Sequence, residues 1–120
     1  MADLTIDMET LQNGVVYVRL AGFLDAHTFE RLDERIEELF DQNQYRLIVD
    51  LSELEYISSA GAGVFIGAIG EAQDHQGNIV LLSPTESVKE VFDLLGLSQI
   101  FSFTENRQDA LAEFDDTPVK

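Results

Sequence analysis

The sequence contains no cysteine, so it has no disulfide framework, no thiolate metal site and no thiol chemistry. It has two prolines in 120 residues, and apolar residues make up 45% of the chain. That is the composition of one ordinary globular domain (residues 1–120, core about 4–114), with 115–120 expected to form a flexible tail. Basic residues are scarce: seven Lys and Arg stand against 23 Asp and Glu, a formal net charge of −16. Such a charge repels nucleic-acid backbones and anionic membranes, is compatible with a basic protein partner, and favours a soluble monomer. No apolar run has the length of a membrane span, and MADLTIDMET lacks the basic and apolar regions of a leader peptide. A cytoplasmic protein is expected.

Histidine is scarce too. His27 and His75 are the only two, and neither lies in a spacing such as His-Glu-x-x-His. A serine hydrolase needs Gly-x-Ser-x-Gly, but Ile57 stands two residues before Ser59. Ser58-Ser-Ala-Gly-Ala-Gly has no lysine and matches neither the phosphate-binding loop nor the dinucleotide fingerprint. No enzyme and no cofactor are expected. A nucleotide-hydrolysing enzyme built on this turn is the remotest of three readings.

What is present is concentrated in Tyr45–Gly70, YRLIVDLSELEYISSAGAGVFIGAIG. Tyr45–Leu51 is short, apolar and β-branched, and reads as a buried strand. Ser52-Glu-Leu-Glu reads as a polar connection, and Ser58 and Ser59 as the opening of a helix from Ala60. A serine there accepts an otherwise unpaired backbone N–H. At about 100° per residue, Gly63, Gly67, Gly70 and Asp74 share the side of Ser59, while Phe65, Ala68, Ile69 and Ala72 lie opposite. Each glycine inside a helix costs about 1 kcal/mol relative to alanine. Three on one face imply close approach of another backbone, from either a neighbouring helix of this chain or a partner protein.

Around this stretch, Leu4, Ile6 and Met8 alternate as an edge strand, and Asn13-Gly14 marks a hairpin turn into a strand from Val15 to Leu20. Gly22 is expected to break that strand and Asp25 to cap a helix over Ala26–Gln42, with Phe29, Leu32, Ile36, Leu39 and Phe40 as its apolar stripe. Ile79–Leu82 reads as a further buried strand. A helix begun by Thr85 or Ser83 buries Val88, Val91, Phe92 and Leu95 and stops at Gly96. Ile100–Phe103 reads as a short last strand, and Thr104 as the cap of a last helix to Phe114. Strand–helix alternation with short connections implies an α/β fold, a four- to five-stranded mixed sheet packed against about four helices.

A phosphate on Ser59 adds about −1.5 to −2 charges at pH 7. At a helix N-terminus the fold tolerates it, but a partner docked on the glycine face meets a different surface.

Leu51-Ser-x-Leu-x-Tyr-Ile-Ser-Ser-Ala-Gly-Ala-Gly, with Gly22-Phe-Leu-Asp25 after the second strand, resembles the STAS-domain family of anti-sigma-factor antagonists. The resemblance extends from about Leu4 to Phe114. It implies a bacterial cytoplasmic switch protein that binds an anti-sigma factor, itself a serine kinase, and is released when phosphorylated. A PP2C-type phosphatase resets the cycle. Laid on the family motif Asp-Ser-Ser/Thr-Gly-Leu-Gly, the phosphorylated serine is Ser59, with Ser58 as second choice, and Gly61 and Gly63 are the family glycines. The implied partner-binding residues are Asp25, Ser58, Ser59, Ala60, Gly61, Ala62, Gly63 and Gly67. The chain departs from the motif at Ser58 (for aspartate), Ala60 (for Ser or Thr), Ala62 (for leucine) and Phe23 (for the glutamate of Gly-Glu-Leu-Asp). The alternative within the same fold is a regulatory subunit of a transporter complex, or a ligand-sensing module, with no phosphorylation switch.

Overall fold

The computed structural model describes residues 3–114. Five strands and four α-helices follow one another as β1 (Leu4–Thr10), β2 (Val16–Leu24), α1 (Phe29–Asp41), β3 (Arg46–Ile57), α2 (Ser59–Asp74), β4 (Asn78–Leu82), α3 (Glu86–Leu94), β5 (Ser102–Thr104) and α4 (Arg107–Ala112). The sheet order is β1-β2-β3-β4-β5. β1 is antiparallel to β2, and the remaining neighbours are parallel. This is the mixed α/β sheet with four helices that the alternation of elements implies. The tail expected over 115–120 lies outside the described residues.

The hairpin turns where expected. Asn13 and Gly14 both have positive φ, 68° and 76°, and the Leu11 N–H donates to the Val15 carbonyl at 2.7 Å. From there the period-two pattern divides the chain between two faces. Val16, Val18, Leu20, Leu47, Val49, Leu51, Ile79 and Leu81 form one core with Leu32 and Ile36 of α1, Phe65 and Ala72 of α2, and Val88 and Phe92 of α3. Phe65, Phe92 and Phe101 meet edge-on or tilted at 6.1–6.3 Å between ring centres. On the other face Tyr17, Ile48, Val80 and Leu82 pack with Ala110 of α4, flanked by Leu111 and Phe114.

Several boundaries differ from the sequence reading. Gly22 does not end β2, which runs on to Leu24. Its φ is +102°, and a methyl group there would collide with the Asp3 carbonyl, so this glycine lets the start of β1 close on β2. Asp25 does not cap α1; Thr28 occupies that position. Asp25 Oδ1 accepts the His27 N–H at 2.9 Å, and the Thr28 hydroxyl accepts the Asp25 N–H at 2.9 Å. The acid therefore shapes a turn ahead of the helix.

The polar Ser52–Glu55 segment is strand, not connection. β3 continues through it to Ile57, with two bulges against β2. Leu95 is exposed rather than core. α3 is capped by Thr85, whose hydroxyl accepts the Val88 N–H at 3.3 Å, and Gly96 follows its end with φ 75°. The last strand begins at Ser102, not Ile100. α4 is capped by Asn106, whose side chain accepts the Asp109 N–H at 2.8 Å, and not by Thr104.

Candidate partner-binding site at the start of α2

β3 ends at Ile57, and α2 begins two residues later. Ser58 between them has extended backbone angles (φ −97°, ψ 172°), and its Oγ accepts the Gly61 N–H at 3.2 Å. It is the N-cap, and it satisfies one of the donors that a helix start leaves unpaired. Its own N–H donates to the Leu24 carbonyl at 3.0 Å, which fixes the helix start to the end of β2. Ser58 is thus half-buried and engaged. Ser59, the first residue of α2, is exposed, and its hydroxyl makes no hydrogen bond among the described residues. No acidic residue of α2 itself lies in its first turn.

The smooth face of α2 is open. Gly63, Gly67 and Gly70 are exposed, and a methyl group added at any of them would meet nothing within 4 Å. Packing against another helix of this chain, one of the two explanations for these glycines, is thereby excluded among the described residues. Ile66 is also exposed on α2, at 47%. Phe65, Ala68, Ile69 and Ala72 are buried, as their helical positions require.

The residues implied by the family motif do not all reach this surface. Ser59, Gly63 and Gly67 are exposed, and Asp25, Ser58 and Ala60 are half-buried. Gly61 and Ala62, by contrast, are buried and face the core. A methyl group at Gly61 would lie 2.6 Å from the Leu24 carbonyl oxygen, so this glycine permits the helix start to approach β2. One feature escaped the sequence reading. Phe23 and Tyr56, register partners on β2 and β3, place their ring centres 6.0 Å apart close to the ends of both strands.

Two of the titratable groups, His75 and Asp50, have well-defined structural partners. His75 closes the far end of α2, stacked on Tyr45 at 4.1 Å with its Nδ1 2.9 Å from the Glu71 carbonyl. A 16-residue helix separates it from Ser59, about 24 Å of rise. His27 lies exposed in the turn before α1. The buried acid is Asp50, on the sheet face that carries α4. Tyr17 donates its hydroxyl to Asp50 Oδ2 at 2.5 Å; the Ser52 N–H and hydroxyl donate to Oδ1 at 2.9 and 2.7 Å; Arg19 stands 3.7 Å away. Burial pushes the Asp50 carboxyl up, but the Tyr17 and Ser52 hydrogen bonds and Arg19 outweigh it and hold the group below the usual carboxylate range. Among the described residues no group of three or more acids and histidines is placed to hold a metal ion. No described helix is long and apolar enough to cross a membrane.

Comparison with known proteins agrees with this architecture. The STAS domain model matches residues 5–110. BtrV of Bordetella bronchiseptica is 31% identical over 102 residues, covering 85% of this chain and 88% of its own. The anti-sigma-B factor antagonist of Listeria monocytogenes is 29% identical over 98 residues, covering 82% and 86%. Among solved structures, the anti-sigma factor antagonist SpoIIAA in its unphosphorylated form superposes with a TM-score of 0.81 at 24% identity, over 96% of this chain and 100% of that one. SpoIIAA in the phosphorylated form, described as a Bacillus cell fate determinant, gives 0.72 at 24% identity, over 92% and 99%. With the family model spanning nearly all of the sheet and its helices, the chain belongs to the STAS-domain family.

Proposed function

We propose that this chain is an anti-sigma factor antagonist that works as a phosphorylation-controlled partner switch. It binds an anti-sigma factor with serine-kinase activity while Ser59 is free, and lets go when Ser59 carries a phosphate. The observation that carries this reading is the pairing of an exposed, unengaged Ser59 with an open glycine face on the same helix. A kinase needs access to the hydroxyl, and Ser59 offers it. Ser58 offers less of it, because it is half-buried and its oxygen accepts the Gly61 N–H.

A dianion at the first position of α2 is stabilised by the helix dipole and free amides, so the fold survives it. The docking face then presents bulk and charge where it was smooth and neutral. That fold is known for SpoIIAA in both states of phosphorylation, and the Listeria relative is named an anti-sigma-B factor antagonist. A PP2C-type phosphatase resets the switch, and the free protein is a cytoplasmic monomer.

The test is to incubate the protein with ATP and lysate of its own cells, then measure the intact mass and map the modified residue. One phosphate on Ser59 supports the switch, and one on Ser58 moves the site. No phosphate under any growth condition leaves the transporter-subunit or sensor reading instead.

A further inference from the structure

Phe23 and Tyr56 point to a second contact. Their rings lie 6.0 Å apart at 38°, on the face of the sheet away from α1, α2 and α3. The pair depends on a bulge. Gly22 opposes Leu54 and Phe23 opposes Tyr56, so β3 carries one extra residue, Glu55, between them. Leu54 is in the core, and strict alternation would send Tyr56 inward after it. The bulge turns Tyr56 outward instead, beside Phe23. α4 packs on β4 and β5, at the other end of this face. Tyr56 is 47% exposed, and its hydroxyl makes no hydrogen bond among the described residues. The strand thus departs from regular pairing and leaves an aromatic surface in water.

The position and the charge identify what that surface suits. Tyr56 precedes Ser59 by three residues, about 10 Å of extended chain, and Phe23 precedes Asp25 by two. A protein seated over Ser59 and reaching round the ends of β2 and β3 meets this pair. Glu53, opposite Ala21, and Glu55, the bulged residue just before Tyr56, are exposed on the same stretch of β3. Arg19, the nearest cation along β2, stands 3.7 Å from Asp50 and within electrostatic reach of Glu53, so Glu55 is the acid of this rim with no cation partner among the described residues. Two ring faces with a carboxylate rim favour a guanidinium, which stacks on aromatic rings and binds carboxylates through its fork of donors. We propose that Phe23 and Tyr56, with Glu53 and Glu55, form an arginine-binding contact for the protein that docks at Ser59. The identity of that protein rests on the partner-switch reading; the arginine contact is additional to it.

The experiment titrates the full protein with the capped peptide Ac-Gly-Arg-Gly-NH2 and with its citrulline counterpart, which keeps the shape and lacks the charge. The ring-proton NMR signals of Phe23 and Tyr56 are followed. The arginine peptide should move both rings, and the citrulline peptide should bind about three- to fivefold more weakly. Tyr56→Ala, with its core signals retained, should lose the effect. So should Glu53→Gln combined with Glu55→Gln, a surface pair that leaves the core untouched. Equal response to both peptides, no ring response, or shifts spread along the acidic face of α1 and unchanged by Tyr56→Ala would overturn the proposal. No arm uses a kinase or a phosphate. Failure here leaves the Ser59 switch standing, and an unphosphorylated Ser59 leaves the arginine contact standing.

Discussion

The Leu24 carbonyl oxygen is held between two residues of the α2 start: it accepts the Ser58 N–H at 3.0 Å, and it lies 2.6 Å from where a Gly61 methyl group would sit. One backbone atom of β2 therefore sets both the position of the cap and the identity of the residue three beyond it. Gly61→Ala must push α2 away from β2 or break the Ser58 bond, and overpacking of this kind costs about 1–3 kcal/mol. Gly63→Ala, two residues on, meets open space and gains about 1 kcal/mol from helix propensity. Urea unfolding of the two variants should show shifts of opposite sign. Equal shifts would mean that α2 is free to slide along the strand.

The two neighbouring serines should separate cleanly. Ser58→Ala removes the cap and should destabilise the protein by about 0.5–2 kcal/mol while leaving Ser59 open to phosphorylation. Ser59→Ala should leave stability within about 0.5 kcal/mol of wild type, because its hydroxyl has no partner among the described residues, and should abolish phosphorylation. Ser59→Asp should keep the fold and weaken the anti-sigma factor. Unfolding curves give the stability half and site-mapped mass spectrometry the other. Loss of phosphate in Ser58→Ala but not in Ser59→Ala would reverse the assignment.

The legible parts of this fold are those where one periodicity runs unbroken. Leu32, Ile36, Leu39 and Phe40 keep the helical spacing and mark α1. Val16, Val18 and Leu20 keep the strand spacing and mark β2. β3 loses its second half in the sequence because Leu51, Leu54 and Ile57 recur every three residues. That is neither period, and the two bulges explain it. Asp25 and Thr28 are both able to cap a helix, and a set of local bonds divides the turn between them: the Thr28 hydroxyl donates to the Phe23 carbonyl at 2.9 Å and accepts the Asp25 N–H, while Asp25 accepts the His27 N–H. At the site, Ser58, Ser59 and the glycine face were readable from helix geometry. The same geometry puts Gly61 and Ala62 on the side of Phe65. The family motif counts them with the partner surface, although their burial serves the join between α2 and β2.

The Tyr17–Asp50 hydrogen bond should show itself in acid. Asp50 is held below its unfolded value of about 3.9, so the stability it contributes is complete above that pH and is lost as the pH falls through the lower folded value. Tyr17→Phe removes the 2.5 Å donor and leaves the buried carboxylate to Ser52 and Arg19. The expected cost at pH 7 is about 1.5–3 kcal/mol, the range for hydrogen bonds to charged groups. It should shrink progressively below pH of about 4, and the midpoint of acid unfolding should move to higher pH. A cost that is the same at pH 7 and pH 3 would mean that Tyr17 acts through packing beneath Arg107, whose guanidinium lies 4.3 Å from its ring centre.

Larger groups on the glycine face separate docking from folding. Gly63 and Gly67 stand one turn apart on the exposed side of α2, with open space above both. Gly63→Leu and Gly67→Leu therefore add bulk only toward solvent, and each should unfold in urea at or above the wild-type midpoint, since leucine is the better helix former. If this face is where the anti-sigma factor sits, a leucine at either position holds the partner away from the helix, and calorimetric titration with that partner should show at least about a tenfold loss, the equivalent of 1.4 kcal/mol. Wild-type affinity in both variants would place the contact elsewhere on the protein while leaving Ser59 as a candidate for modification. Affinity lost only at Gly63 would confine it to the first two turns of α2.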